Sequence, residues 1–176
     1  MQHLSMYQLM AGLANILESP KNEGRVDLIV RRPETNSREI LQSGELSVEL
    51  GLVGDNWSTK GNVRPDMQLN IMNSRVIDLV TGCDRERWQL AGDQFFTDMD
   101  LSKDNLPAGT KLSIGSAIIE VTAEPHMGCK KFVERFGKEA MIFVNGSEGK
   151  KHCLRGINAK VIKAGTVKTG ELVTKI

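Results

Sequence analysis

The 176-residue chain carries 23 lysines and arginines against 22 aspartates and glutamates, so its net charge of +1 gives no overall attraction to nucleic acid or membrane. A hydrophobic content of 40% and a charged content of 26% exclude a disordered or fibrous chain and fit a globular domain with a buried core. No apolar run reaches the length of a membrane span, no secretory leader is visible, and three cysteines cannot all pair within the chain. We therefore expect a reduced, cytoplasmic protein.

The first 22 residues predict a helical extension. Apolar residues recur at helical spacing from Met6 to Leu17, with polar residues off that stripe. Ser5 followed three residues later by Gln8 matches a capping box at the start of the helix. A stripe of this kind packs against a core and carries no chemistry of its own.

The remainder of the chain predicts many short strands joined by glycine-rich turns. Alternating or apolar runs place strands at 24–31, 46–52, 67–72, 95–101, 111–114, 117–123, 157–164 and 171–176. Short helices are expected after Asn73 and between 133 and 143, and 145–149 is interpreted as a loop. This pattern predicts a mainly β fold, a strand-rich antiparallel barrel or sandwich with a few short helices.

A cysteine lies where an apolar strand pattern gives way to a helix, in the stretch Pro125–Phe132. The positive end of the helix dipole and the nearby charges of Lys130, Lys131 and Arg135 should lower the pKa of the Cys129 thiol. A thiolate attacks electrophiles and binds soft metals, so a reactive or metal-ligating cysteine is one interpretation. A small buried residue is the alternative.

Other chemistry stays open on residue types alone. His126, Cys129, His152 and Cys153 supply zinc-type donors, but their spacing lacks the paired motifs of structural zinc sites. A Cys–His nucleophile pair is also conceivable from these residues. No Walker A loop, dinucleotide fingerprint or nucleophile elbow occurs in the sequence.

Glycine–acid corners and loop arginines form a second set of candidates. The corners are Gly54-Asp55, Gly92-Asp93 and Gly170-Glu171, and each is explained by turn chemistry when taken alone. The arginines beside loops are Arg32, Arg64, Arg75 and Arg155. Arginines that converge on one mouth would bind a phosphate or carboxylate, whereas separate ones would form surface ion pairs of little energetic value.

Taken together, these blocks resemble the MOSC domain family, which is named after the C-terminal domain of molybdenum cofactor sulfurase. The matching segments are GRVDLIVRRP at 24–33, GLVGDNW at 51–57, QLNIMN at 68–73, LAGDQFFTDMDLSKDNLPAGTKLSIG at 90–115, VTAEPHMGCKKFVERFG at 121–137 and LRGINAKVIKAGTVKTGEL at 154–172. The last corner is Gly170-Glu171 where the family usually has Gly-Asp. The resemblance divides the chain into a helical extension, 1–22, and a MOSC-like β-barrel domain, 23–176.

The resemblance implies a set of site residues around a bound molybdenum cofactor (molybdopterin). Cys129 takes the position of the family cysteine, which carries sulfur or ligates molybdenum, and His126 becomes a catalytic or proton-transfer group. Asp93 is expected to orient an arginine or a turn rather than contact a phosphate. The cofactor-binding residues implied by motif position are Arg32, Asp93, Asn105, Lys130 and Arg155.

Three functional hypotheses follow from this resemblance. The first is a cofactor-binding protein that reduces N-hydroxylated substrates with electrons from a separate protein, Cys129 being the metal ligand. The second is a sulfur carrier or cofactor-handling module in which Cys129 holds a persulfide supplied by a donor protein. The third is a barrel that has kept the fold and binds another ligand. The substrate, the partner proteins and the oligomeric state do not follow from the sequence.

Overall fold

A computed structural model of the chain describes residues 3–59, 61 and 63–176. Its helices are α1 (Met6–Ala11), α2 (Leu13–Leu17), α3 (Ser74–Thr81), α4 (Lys130–Phe136), α5 (Lys138–Asn145) and α6 (Ser147–Lys151). Two 3₁₀ segments, Pro65–Met67 and Arg85–Ala91, complete the helical structure of the described residues. None of these helices is long and apolar enough to cross a membrane.

The strands are short, as the glycine-rich turns of the sequence predict. They are β1 (Glu23–Arg31), β2 (Glu39–Leu41), β3 (Ser43–Ser47), β4 (Gly51–Leu52), β5 (Leu69–Asn73), β6 (Phe95–Thr97), β7 (Lys111–Ile114), β8 (Ala117–Val121), β9 (Ile157–Lys163), β10 (Gly165–Lys168) and β11 (Leu172–Lys175).

Seven of these strands close into a barrel in the order β11-β7-β8-β9-β5-β6-β1, with β1 pairing back to β11 and β2 added beside β1. All neighbouring pairs are antiparallel except β5 and β6, which run parallel because α3 and a 3₁₀ segment form the crossover between them. Strands β10, β3 and β4 form a separate three-stranded sheet. The prediction of a mainly β barrel with a few short helices is confirmed.

Two apolar layers hold this architecture together. One fills the barrel with side chains from alternate strand positions, such as Ile71 and Phe95. The other lies between the outer face of the barrel and the helices, and includes Met72, Phe96 and Phe132. Neighbouring residues of one strand therefore face different layers, and the polar groups described below lie at the outer face.

Some local predictions were wrong for identifiable packing reasons. The single N-terminal helix is two helices broken at Gly12, where a Cβ atom would lie 2.6 Å from the Leu79 side chain. The capping box of Ser5 and Gln8 is present as expected. The loop predicted at 145–149 is instead the end of α5 and the start of α6, because Gly149 lets α6 pack directly against backbone carbonyls of α5.

Candidate functional site

A row of polar side chains crosses the outer face of the barrel from β1 to β9. Arg32, directly after β1, donates Nη1–H to the Asn70 side-chain oxygen at 3.1 Å. Asn70 donates to Asn158 on the paired strand at 2.6 Å, and Asn158 donates to the carbonyl of Glu124 at 3.1 Å. These bonds hold the segment after β8 against the barrel, which fixes the backbone that leads to His126 and Cys129.

Asp93 is the centre of a buried ionic cluster beside this row. Arg155 Nη1 donates to both carboxylate oxygens of Asp93, at 3.0 and 2.8 Å, and Nε2 of His126 lies 2.7 Å from Oδ1. The Asp93 side chain is fully buried. Asp93 therefore contacts an arginine, as the sequence analysis expected of an orienting carboxylate.

Burial and neighbouring charges act in opposite directions on Asp93. Burial alone would raise the pKa of this carboxyl, but the positive charge and hydrogen bonds of Arg155, with the hydrogen bond from His126, lower the pKa to about 2. Asp93 is therefore an anion throughout the physiological pH range.

His126 is neutral in this cluster. Burial lowers its pKa, the charge of Arg155 lowers it further, and the opposing effect of Asp93 is smaller. Because ionised Asp93 only accepts hydrogen bonds, the proton lies on Nε2 and Nδ1 is left as an acceptor. The ring can thus accept a hydrogen bond or a proton at Nδ1.

The end of the second 3₁₀ segment gathers four arginines from different parts of the chain. The carbonyls of Gln89, Leu90, Ala91 and Gly92 accept hydrogen bonds from Arg38, Arg135, Arg155 and Arg32, respectively. Gly92 adopts φ +90°, a left-handed conformation that ends the segment and favours glycine. Consecutive Cα atoms are about 3.8 Å apart, so the four guanidinium groups bind carbonyls that lie within about one turn of backbone.

A cavity of about 610 Å³ opens between the segment after β8 and helices α5 and α6. His126 and Arg155 line it, together with the cations Lys103 and Lys150, the thiol of Cys153 and apolar side chains. Arg155 is 6% exposed, and its Nε–H has no hydrogen-bond partner among the described residues. A buried donor of this kind is costly unless a ligand or water satisfies it.

Cys129 lies at the N-cap position of α4, and its side chain is exposed. Its backbone fits the predicted start of a helix, but its side chain makes no capping hydrogen bond. Lys130 is the first residue of that helix and is also exposed. Neither residue lines the cavity that His126 and Arg155 line, so the structure brings only part of the expected site together.

Asn105 lies apart from the other nominated residues. Its side chain donates to the carbonyls of Lys21 and Asp100, at 2.9 and 2.7 Å, and accepts from Lys175 at 3.0 Å. It lines a smaller cavity of about 330 Å³ with His152, rather than the cavity at Arg155.

The loop arginines divide into two groups. Arg32 binds Asp55 through two guanidinium nitrogens at 2.8 Å and meets Arg155 at the end of the 3₁₀ segment, so these two converge. Arg64 and Arg75 form separate ion pairs with glutamate or aspartate elsewhere. Arg32 and Arg155 therefore converge, whereas Arg64 and Arg75 form separate ion pairs.

The donors considered for zinc do not assemble. Within residues 3–59, 61 and 63–176, no group of three or more His, Cys, Asp or Glu side chains is placed to hold a metal ion. His152, the C-cap residue of α6, instead lies 3.4 Å from Glu148 in that helix. Cys153 lines the larger cavity, where burial is the main cause that raises the pKa of its thiol.

Two arginines of the cluster were not nominated from the sequence. Arg38 lies in a polar, turn-rich segment that gave no signal, and Arg135 was noticed only as a charge near Cys129. Both reach the cluster through contacts between residues 51 and 45 positions apart. Only the fold brings these side chains together.

Comparisons with known proteins support the fold. No protein-family model matches the chain, and neither does any curated protein sequence. The structure of YuaD from Bacillus subtilis is similar, with a TM-score of 0.64 at 16% identity over 86% of this chain and 94% of that one. YiiM from Escherichia coli gives 0.56 at 22% identity over 86% and 69%, and YiiM from Geobacillus stearothermophilus gives 0.59 at 14% over 87% and 75%. YuaD and YiiM are MOSC-domain proteins, so the chain has a MOSC-type fold.

Proposed function

We propose that this chain is a MOSC-family protein that binds a molybdenum cofactor of the molybdopterin type beside the Asp93 cluster. The observation that carries the proposal is Arg155, a buried arginine that lines the large cavity and keeps one N–H without a partner in the part of the chain that the structure describes. The MOSC-type fold and the sequence blocks around Cys129 support the same assignment.

The cavity fits a phosphorylated heterocycle in size and chemistry. About 610 Å³ lies within the range of 300–1,000 Å³ that is usual for sites of small molecules and cofactors. Apolar side chains such as Leu106 and Ile157 would pack on the ring system. Lys103, Lys150 and Arg155 would hold the phosphate, since guanidinium and ammonium groups are the usual partners of that group.

We assign Cys129 as the cysteine ligand of the metal. When bound, the cofactor would supply two-electron reduction at molybdenum, which we propose for N-hydroxylated substrates with electrons from a separate cytoplasmic protein. Cys129 is exposed and lies outside the cavity lining, so it would act at the open side of the site. Cys153 lines the cavity and is therefore the alternative cysteine ligand with which Cys129 must be compared.

His126 would act as the proton-handling group. Its bond to Asp93 fixes the ring with Nε2 protonated, which leaves Nδ1 as the acceptor. A neutral imidazole held in this way can take a proton at Nδ1, and Asp93 stabilises the resulting cation. Arg155 holds Asp93 in place, but its positive charge also disfavours the protonated form of His126.

The test compares two cysteine variants purified without oxygen from a host that makes the cofactor. Cys129→Ser should lose molybdenum while keeping most of the pterin, because the phosphate contacts are intact. Cys153→Ser is the matched control and should keep both. Loss of molybdenum from Cys153→Ser, with Cys129→Ser fully loaded, would overturn the assignment of the metal ligand.

A sulfur-carrier role is a second candidate, and the exposure of Cys129 favours it. A carrier thiol must reach a donor and an acceptor protein, and an exposed thiol at the start of a short helix meets that need. Intact-protein mass spectrometry after incubation with a persulfide donor would detect an adduct of about 32 Da that a reductant removes. The adduct should be absent from Cys129→Ser, and its persistence there would contradict this role.

A further inference from the structure

The four arginines at the end of the second 3₁₀ segment are not equivalent in charge. Arg32 is neutralised by buried Asp55, and Arg155 by buried Asp93. Arg38 and Arg135 form no ion pair with any acidic side chain of the described residues, although both are held in place by backbone carbonyls. The cluster therefore keeps two fixed positive charges without a matching negative charge.

The surroundings of Arg38 confirm this crowding. Partial burial lowers the pKa of Arg38, and the charges of Arg135 and Arg32 lower it further against the smaller opposing effects of two aspartates. An arginine stays protonated under these conditions, because its ordinary pKa is above 12. The excess positive charge therefore remains on the protein and attracts an anion.

Both guanidinium groups have donors to spare. Arg38 uses Nε and Nη1 for the carbonyls of Gln89 and Ser37, and no described residue accepts from its Nη2. Among the described residues, Arg135 donates only from Nη1, to the carbonyl of Leu90. Both residues are partly exposed, so the remaining N–H groups are accessible to a ligand.

Helix α4 places further positive charge at the same position. Lys131 lies one helical turn before Arg135, and its Nζ reaches the side chain of Asn36, two residues from Arg38. Cys129 is the N-cap residue of the same helix, two residues before Lys131.

We propose that Arg38 and Arg135 form a binding site for a phosphate-type oxyanion, distinct from the cavity lined by Lys103 and Lys150. Planar guanidinium groups with spare N–H donors match the tetrahedral oxygens of phosphate, and Lys131 adds a point charge. The ligand is either free phosphate or the phosphate ester of a larger molecule. This site does not depend on whether the chain binds a molybdenum cofactor.

The experiment is an NMR titration of the full chain with inorganic phosphate, followed through the guanidinium Nε–H signals of Arg38 and Arg135. These signals should shift with saturation, and chloride at equal ionic strength should leave them unchanged. A binding free energy of about 3 kcal/mol is enough for tens of millimolar phosphate to occupy most of the site. Absence of a shift at that concentration would overturn the proposal.

Variants then assign the contacts. Arg38→Gln and Arg135→Gln should each weaken phosphate binding by about 10- to 100-fold, since a hydrogen bond to a charged group contributes roughly 1.5–3 kcal/mol. Arg75→Gln removes an arginine that is paired with Asp98 elsewhere and should leave binding unchanged. In the Arg38→Gln/Arg135→Gln double variant, phosphate binding is followed through the backbone amide signals of α4 and of the second 3₁₀ segment. Unaltered binding there, with the fold intact by circular dichroism, would refute the site.

A second titration distinguishes the two sources of phosphate. Pyrophosphate and a nucleoside monophosphate are compared with inorganic phosphate on the same signals. Tighter binding of the nucleotide would indicate an ester ligand, whereas equal binding would indicate the free anion. Displacement of one by the other at the same two signals is expected in either case, and lack of competition would contradict a single site.

Discussion

The most direct structural prediction concerns the charge of Asp93. Asp93→Asn keeps the size of the side chain but removes the anion, which leaves the buried guanidinium of Arg155 without its partner. Breaking a buried ion pair on one side typically costs about 3–5 kcal/mol of unfolding free energy. For a chain of this length we expect a drop of roughly 6–20 °C in melting temperature.

Urea unfolding monitored by circular dichroism measures this cost, and Asp98→Asn is the matched control. Asp98 pairs with Arg75 at the surface, where an ion pair contributes about 0–1 kcal/mol. Equal losses in the two variants, with unchanged m-values, would refute the reasoning that the Asp93 cluster is held by buried charge.

The same cluster predicts a pH dependence with a definite sign. The pKa of Asp93 is about 2 in the folded state against 3.8 in the unfolded chain, so its ionisation adds about 2 kcal/mol of stability above pH 4. This contribution is lost as the pH falls from 4 toward 2. The stability difference between wild type and Asp93→Asn should shrink over that window, and a constant difference would contradict the shift.

Three further predictions concern packing and thiol access. Leu9→Ala should cost about 2–5 kcal/mol because Leu9 is fully buried in the apolar layer between the barrel and the helices, whereas Tyr7→Ala should cost almost nothing. Urea unfolding of both variants would show whether α1 stabilises the domain. Gly156→Ala should be far more destabilising than Gly109→Ala in thermal unfolding, because both have positive φ but only the Cβ at 156 would clash, at 2.2 Å from a backbone oxygen. A maleimide should label exposed Cys129 in the native protein, and protection of this thiol in a peptide map would contradict its exposure.

Much of the barrel could be predicted from the sequence because its signals are local. Alternation in 111–121 and the turn at Gly115-Ser116 gave the β7–β8 hairpin, and the stretch at Cys129 gave the start of α4. The prediction of a single strand over the apolar run 46–52 was wrong, because a turn at 48–50 divides this run between β3 and β4. Helix α6 was missed because glycine and serine in its sequence are typical of loops, while tertiary packing keeps it helical.

The site was harder to predict because its contacts join distant parts of the chain. Motif position nominated Arg32, Asp93 and Arg155, and these three do lie around one turn of backbone. It also nominated Asn105, which lines a different cavity. The position of a residue within a sequence motif does not show which cavity its side chain lines. Arg38 had no local signal, since its role depends on a carbonyl 51 residues away.

The central claim is that the cavity beside the Asp93 cluster holds a molybdenum cofactor. The most direct measurement is the molybdenum and pterin content of wild-type protein, purified without oxygen from a host that loads a control molybdenum protein. We predict that both are present in amounts equimolar with the chain. A protein that carries neither, from a host in which the control is fully loaded, would contradict the account.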